Sequence, residues 1–124
     1  MVVHAFVGSD PAAALSQQVL EADRVLSAPQ ILKAEAVSAL RGLLLRGVIS
    51  EPAARRAVDR VRRIDTASHP IEPLLSRVWE LRDNLTVYDG WYVALAERLD
   101  VPLYTTDGRL AAAPGPQCEI IVTA

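Results

Sequence analysis

Short apolar runs alternate with longer amphipathic segments along nearly the whole chain, and this alternation restricts the fold more than any other feature of the sequence. Parallel strands need a crossover between them, usually a helix, so the pattern argues an α/β fold with a parallel sheet flanked by helices. Ser9-Asp10-Pro11 opens a helix to about Asp23, preceded by the apolar run Val2 to Val7. Arg24 to Ala28 reads as a strand ended by Pro29, and Ile31 to Arg46 as a long helix closed by Gly47. Ser50-Glu51-Pro52 starts another helix, which runs to about Arg63, and Ile64 to Ser68 reads as a short strand broken by Pro70. The spacing predicts helices over Glu72 to Leu85 and Tyr88 to Leu99. A buried strand over Val101 to Thr105, a short helix over Asp107 to Ala113 and a last strand over Cys118 to Thr123 complete the pattern. In such a sheet, ligand sites lie at the carboxyl ends of the strands.

With 124 residues the chain is expected to form a single domain spanning 1–124. Its core must be aliphatic: hydrophobic residues make up 51% of the chain but aromatics only 5%, with Phe6 the one phenylalanine. Trp79 and Trp91 can stack on bases in principle, but they share a helical period with Leu75 and Leu95, which favours the core. One cysteine, Cys118, and two histidines, His4 and His69, leave no set with zinc-ligand spacing. Val2 to Val7 has no basic flank and no run of eighteen apolar residues occurs, so neither a signal peptide nor a membrane span is expected, and a cytoplasmic location is.

A formal charge of −2 gives no global attraction to nucleic acid, yet twelve of the thirteen basic residues are arginine, the residue that grips phosphate bidentately. Any such contact must come from a local patch. Arg55, Arg56, Arg60 and Arg63, with Asp59 between them, read either as a solvated helix face or as contacts to RNA phosphates.

Three acids stand out, each with a bland alternative. Glu35 lies about 60° outside the apolar arc of Leu32, Ala36, Ala39, Leu40 and Leu43, where it borders the core, or simply sits at a helix edge within reach of Arg46. Asp89 falls in the first turn of a helix, where a carboxylate also complements the helix dipole. Asp107 follows a buried strand and precedes a helix, so it serves as an N-cap while projecting toward the functional edge of the sheet.

Three segments resemble the PIN-domain ribonucleases and, among them, the toxins of VapBC-type toxin–antitoxin pairs. Pro29 to Leu40 is similar to the family helix that carries a Glu. Leu85-Thr86-Val87-Tyr88-Asp89-Gly90-Trp91-Tyr92-Val93-Ala94-Leu95-Ala96-Glu97 is similar to its Tyr-Asp segment, and Pro102 to Ala111 to its Thr-x-Asp strand end. The resemblance implies a three-layer α/β sandwich and a metal-dependent endoribonuclease whose acids hold Mg²⁺ or Mn²⁺, hard dications that prefer oxygen ligands. It implies Asp89 as a principal ligand, Asp107 as a ligand directly or through water, Glu35 as a water-orienting or outer acid, and Thr105 as a support for a carboxylate. It also implies a VapB-type antitoxin, an RNA substrate and a homodimer as partners.

The family's first strand ends in Asp-Ala-Ser, and this chain has no such Asp. In the favoured register His4 to Asp10 matches the helix and turn after that motif, so the chain is expected to lack the central strand and its acid, and to be a poor nuclease. In the other register His4 replaces the Asp, with too few residues before Gly8 for the first helix. Two rivals follow: a degenerate PIN domain that binds antitoxin or RNA without cutting, and an α/β binding module with an acidic metal site. Leu43, Leu44 and Leu45 in succession cannot all face one core, so at least one is expected to lie exposed as partner surface.

Overall fold

In the computed structural model, which describes residues 3–6, 25–105 and 107–122, every strand pair is parallel. The strands β1 (Val3–Phe6), β2 (Val25–Pro29), β3 (Thr66–His69), β4 (Leu103–Thr105) and β5 (Ile120–Val122) form one five-stranded sheet in the order β3-β2-β1-β4-β5. The chain thus builds outward on one side of β1 before starting β4 on the other. Strand order reverses between β1 and β4, and a crevice opens at the carboxyl ends of the strands beside such a switch point.

The expected loss of the first strand is overturned. Val3–Phe6 fills the centre of the sheet, with Val3, His4 and Ala5 opposite Val25, Leu26 and Ser27, and with Ala5 and Phe6 opposite Leu103 and Tyr104. A gap there would leave unpaired N–H and C=O groups on both β2 and β4, so the nearest apolar run is drawn in whatever its match to a motif. The register that made His4 to Asp10 a helix and turn therefore fails over Val3–Phe6, although the strand still brings no Asp. The helix expected over Ser9 to Asp23 lies outside the described residues.

Helices α1 (Leu32–Leu45) and α2 (Glu51–Arg63) form a hairpin; the Ser50 side chain caps α2 by accepting from the Ala53 amide, and Pro52 sits in its first turn. Leu32 packs into the main core, whereas Ala36 and Leu40, one and two turns on, join Val61 in a smaller core of the hairpin. Lys33 Nζ donates to the Arg62 carbonyl at 3.0 Å and ties the hairpin's open end. A 3₁₀ turn at Glu72–Leu74 leads into α3 (Leu75–Glu80), shorter than the 72–85 span expected because the chain passes into turns held by the Leu81 carbonyl.

Helix α4 (Val87–Leu99) packs on β1, β2 and β4 and is buried from Gly90 through Ala96, which is why its sequence is apolar almost all round. Gly90 lets it approach α3 closely: a Cβ there would stand 3.2 Å from Val78 Cγ1. Asp107 caps the short α5 (Gly108–Ala112). Trp91 is core as expected, but Trp79 is 65% exposed, with the Arg82 guanidinium 4.6 Å above its ring. Leu74, Val78 and Leu81 take the inward positions, which turns Trp79 outward. Leu45 is the exposed member of its trio, at 66%.

Far from the switch point, Arg77 grips Glu97 with Nε–Oε1 at 2.7 Å and Nη2–Oε2 at 3.1 Å, and reaches the Gly115 carbonyl at 2.8 Å. Glu97 Oε2 also accepts from the Gln117 amide at 2.7 Å, so one carboxylate ties α3, α4 and the loop before β5. Burial alone would push its pKa up, but the Arg77 and Gln117 bonds outweigh that and hold it below the usual carboxylate value. A depressed acid stabilises the fold above its unfolded pKa, about 4.3 for Glu, and loses that contribution as pH falls through the folded value. Glu97→Gln is expected to cost about 2 kcal/mol in urea unfolding at pH 7 and to flatten the loss of stability below about pH 4; an unchanged acid limb would show that Glu97 is not its source.

Candidate active site

Topology brings the three acids to one edge. Glu35 lies in the first turn of α1, just past the end of β2; Asp107 lies just past the end of β4. Helix α4 feeds the start of β4 through a short link, so its first turn, with Asp89, sits at the carboxyl edge too. The Thr86 hydroxyl fixes that turn by accepting from the Asp89 amide at 3.1 Å.

Within this edge the acids are not equivalent. Glu35 is half-buried, and its pKa is raised by burial, then lowered in part by a hydrogen bond from Tyr92, and raised again by the charge of Asp89. Glu35 and Asp89 are thus electrostatically coupled across the α1–α4 boundary. Tyr92 stands one helical turn after Asp89, is fully buried, and donates its hydroxyl to Glu35 Oε1 at 2.9 Å. Sequence reasoning missed Tyr92; the signal was its i+3 spacing from Asp89, masked by its apolar neighbours. The Arg46 partner expected for Glu35 is replaced by this phenol.

Asp107 has a different partner. Its carboxylate accepts from the Arg109 amide at 2.9 Å and faces the Arg109 guanidinium at 3.3 Å, and these bonds hold it below the usual carboxylate range. Thr105 is fully buried, and its hydroxyl accepts from the Asp107 amide at 2.9 Å, so the support it gives here runs through the backbone. Among the described residues, no three of the His, Cys, Asp and Glu side chains stand close enough together to hold a metal ion. The structure therefore brings together Glu35 and Asp89 and leaves Asp107 at the same edge in an ion pair of its own.

A cleft of about 530 Å³ opens beside Glu35, lined by Ile31, Ala34, Ser38, Ala39 and the exposed Tyr88. A smaller cavity of about 220 Å³ lies near the carboxyl end of α4 and the start of β4, away from the acids. It includes Cys118, whose thiol is pushed up to about 11 by burial and by Glu97, so it is no nucleophile at neutral pH.

Comparison with known proteins agrees with this geometry. The ribonuclease VapC1 of Mycobacterium tuberculosis is 45% identical over 120 residues, covering 96% of this chain and 90% of its own length. The chain belongs to the VapC ribonuclease family. No family model matches it. Among solved structures, PAE2754 from Pyrobaculum aerophilum superposes with a TM-score of 0.72 at 24% identity, covering 96% of this chain and 83% of its own. The toxin–antitoxin complex VapBC-5 from Mycobacterium tuberculosis superposes at 0.63 with 20% identity, over 99% of this chain and 100% of that one. At these identities the likeness speaks for the fold, a PIN-like parallel α/β sheet.

In this VapC-family chain, substitutions at two residues separate site from scaffold. Asp107→Asn keeps a good N-cap, so it is expected to unfold within about 0.5 kcal/mol of the parent, whereas Asp107→Ala loses about 1 kcal/mol. Ribonuclease activity that falls in both, while only the alanine variant melts early, assigns Asp107 a charge-dependent role; full activity in the asparagine variant removes it from the site. Tyr92→Phe is expected to slow cleavage about tenfold, the worth of a ~1.5 kcal/mol hydrogen bond to a charged group.

Proposed function

We propose that this chain is the endoribonuclease toxin of a type II toxin–antitoxin pair and that Glu35, Asp89 and Asp107 work with Mg²⁺ or Mn²⁺. The observation that carries this reading is the meeting of α1 and α4 at the carboxyl edge of a VapC-family sheet, where Tyr92, one turn after Asp89, donates to Glu35 at 2.9 Å. The donor set fits a hard dication: its atoms are carboxylate oxygens, and Mg²⁺ is commonly held by one or two carboxylates together with substrate phosphates rather than by a closed protein cage. When bound, such a cation polarises a phosphoryl oxygen and lowers the pKa of a water.

The residues of the chain do the rest. Asp89, at the mouth of the edge, offers the principal anionic ligand. Glu35, held by Tyr92, orients a water or the ion's outer shell from its half-buried position. Asp107 supplies a further acid once Arg109, whose side chain is 94% exposed, turns to the incoming phosphate. Leu45 and Val48, exposed at 66% and 64%, offer an apolar surface near the α1–α2 turn for a VapB-type antitoxin or a second protomer. Among the described residues no helix is long and apolar enough to cross a membrane, and we place the protein in the cytoplasm with its RNA.

The rival reading, a degenerate domain that binds without cutting, draws on the absence of a strand-borne Asp. Cleavage of RNA with Mg²⁺, Mn²⁺ or chelator, using Asp89→Asn as control, decides between them. The expected result is metal-dependent cleavage that the variant lowers at least about 100-fold; RNA binding with no cleavage at any metal concentration supports the rival. Glu35→Gln adds an independent signature. A raised carboxyl pKa means the protonated form favours the metal-free fold: that stability is fully present below the unfolded value and is lost as pH rises through the folded one, so at neutral pH the ionised side chain is a cost. Glu35→Gln is therefore expected to melt at the same or a higher temperature at pH 7 without metal, while cleaving far more slowly.

A further inference from the structure

The arginines of α2 divide into two faces. At about 100° per residue, Glu51, Arg55, Asp59 and Arg62 share one arc, and there the charges are paired: Arg55 with Glu51 at 2.6 Å and Arg62 with Asp59 at 3.5 Å. Arg56, Arg60 and Arg63, at i, i+4 and i+7, fall within an arc of about 60° on the side away from buried Ala54 and Val61. All three are exposed and have no ion-pair or hydrogen-bond partner among the described residues.

We propose that Arg56, Arg60 and Arg63 form a phosphate-tracking stripe that holds the backbone of single-stranded RNA beside the acidic edge. This rests on the ribonuclease reading of Glu35 and Asp89. It also narrows the cluster seen in the sequence, because Arg55 belongs to the paired face.

The plain alternative is that basic residues near the end of α2 complement its dipole. That accounts for Arg60, Arg62 and Arg63 in the last turn but not for Arg56, a full turn before them. It also gives no reason for acids to be kept off this one face. The stripe spans about 10 Å of helix, enough for its long side chains to reach two or three successive phosphates of one strand. Its far end lies beside the first turn of α1, the turn that also carries Glu35: Lys33 Nζ donates to the Arg62 carbonyl at 3.0 Å. Bidentate guanidinium–phosphate contacts carry no sequence preference, so the stripe supplies affinity and direction while the cleft beside Tyr88 and Glu35 meets the bases.

The test is the salt dependence of binding, measured by fluorescence anisotropy with a labelled single-stranded RNA of mixed sequence in chelator, where cleavage is silent. Arg56→Gln with Arg60→Gln is compared with the charge-matched pair Arg55→Gln with Arg62→Gln. For single strands each phosphate contact contributes about 0.7 to the slope of log affinity against log salt. The stripe pair is expected to flatten the slope by about 1.4 and to weaken binding at 50 mM salt about tenfold or more, and adding Arg63→Gln flattens it by about 0.7 again. With Mg²⁺ restored, the stripe pair raises KM and leaves kcat and the melting temperature near those of the parent. Equal losses from the two pairs overturn the proposal, since net charge alone then explains binding. Unchanged RNA affinity with a weakened hold on an acidic antitoxin also overturns it, making the stripe a protein surface. A parent chain that neither binds nor cuts RNA defeats the ribonuclease reading itself, and the stripe falls with it.

Discussion

All five strands point the same way, and the rest of the molecule depends on that constraint. A parallel sheet must return the chain to its amino edge after every strand, so each link from a strand to a helix falls at the carboxyl edge. Residues distant in sequence are then carried to one edge without any direct attraction: Glu35 after β2, Asp107 after β4, and Asp89 where α4 sets out toward the start of β4. The central position of β1 matters for the same reason. It spaces β2 from β4 and closes the ladder beneath the switch point, so a short and unpromising segment is held by pairing on both sides.

At that edge the fold accepts a cost. A half-buried carboxylate at Glu35, with the charge of Asp89 nearby, is worse for the metal-free protein than a neutral side chain of the same shape. Tyr92 offsets part of the burden with a single hydrogen bond, and its phenol cannot neutralise charge as a guanidinium would. The contrast with Glu97 is instructive: that carboxylate, in a structural setting, is gripped by Arg77 and a backbone amide. A chain able to build the second arrangement but keeping the first is what the proposed dication requires, since a cation bound only by the folded state would return stability by mass action.

Much of this was legible in the sequence. The Ser50 and Asp107 caps, the Gly47 stop and the alternation of elements located α1, α2, α4, α5, β2 and β4 closely, because local chemistry decides such boundaries. What failed depended on tertiary context. Val3–Phe6 was assigned by motif register, whereas the open ladder between two strands decides its state. Trp79 followed the helical period but lost the inward positions to Leu74, Val78 and Leu81. In the candidate site, Glu35, Asp89 and Asp107 share the carboxyl edge that their places after or between strands imply, yet Asp107 stands apart in its pair with Arg109, and neither that partner nor the Tyr92 bond to Glu35 follows from periodicity.

The charge pattern resolves a conflict that composition leaves standing. An acidic edge repels the phosphates it must cut, and a net charge of −2 gives no long-range compensation. Attraction must then be local, and because Arg109 at that edge is already engaged with Asp107, most of it must lie outside the acids. The hairpin of α1 and α2 meets that demand: it has its own small core, so its outer face is free to carry unpaired charge without disturbing the sheet. Salt acts on the two parts differently. Screening weakens the arginine–phosphate contacts of the solvated face steeply, whereas the repulsion between Glu35 and Asp89, partly sheltered from solvent, is screened less. Ionic strength therefore governs how firmly a strand is held more than the state of the acids that would cut it, and the two are separable by experiment.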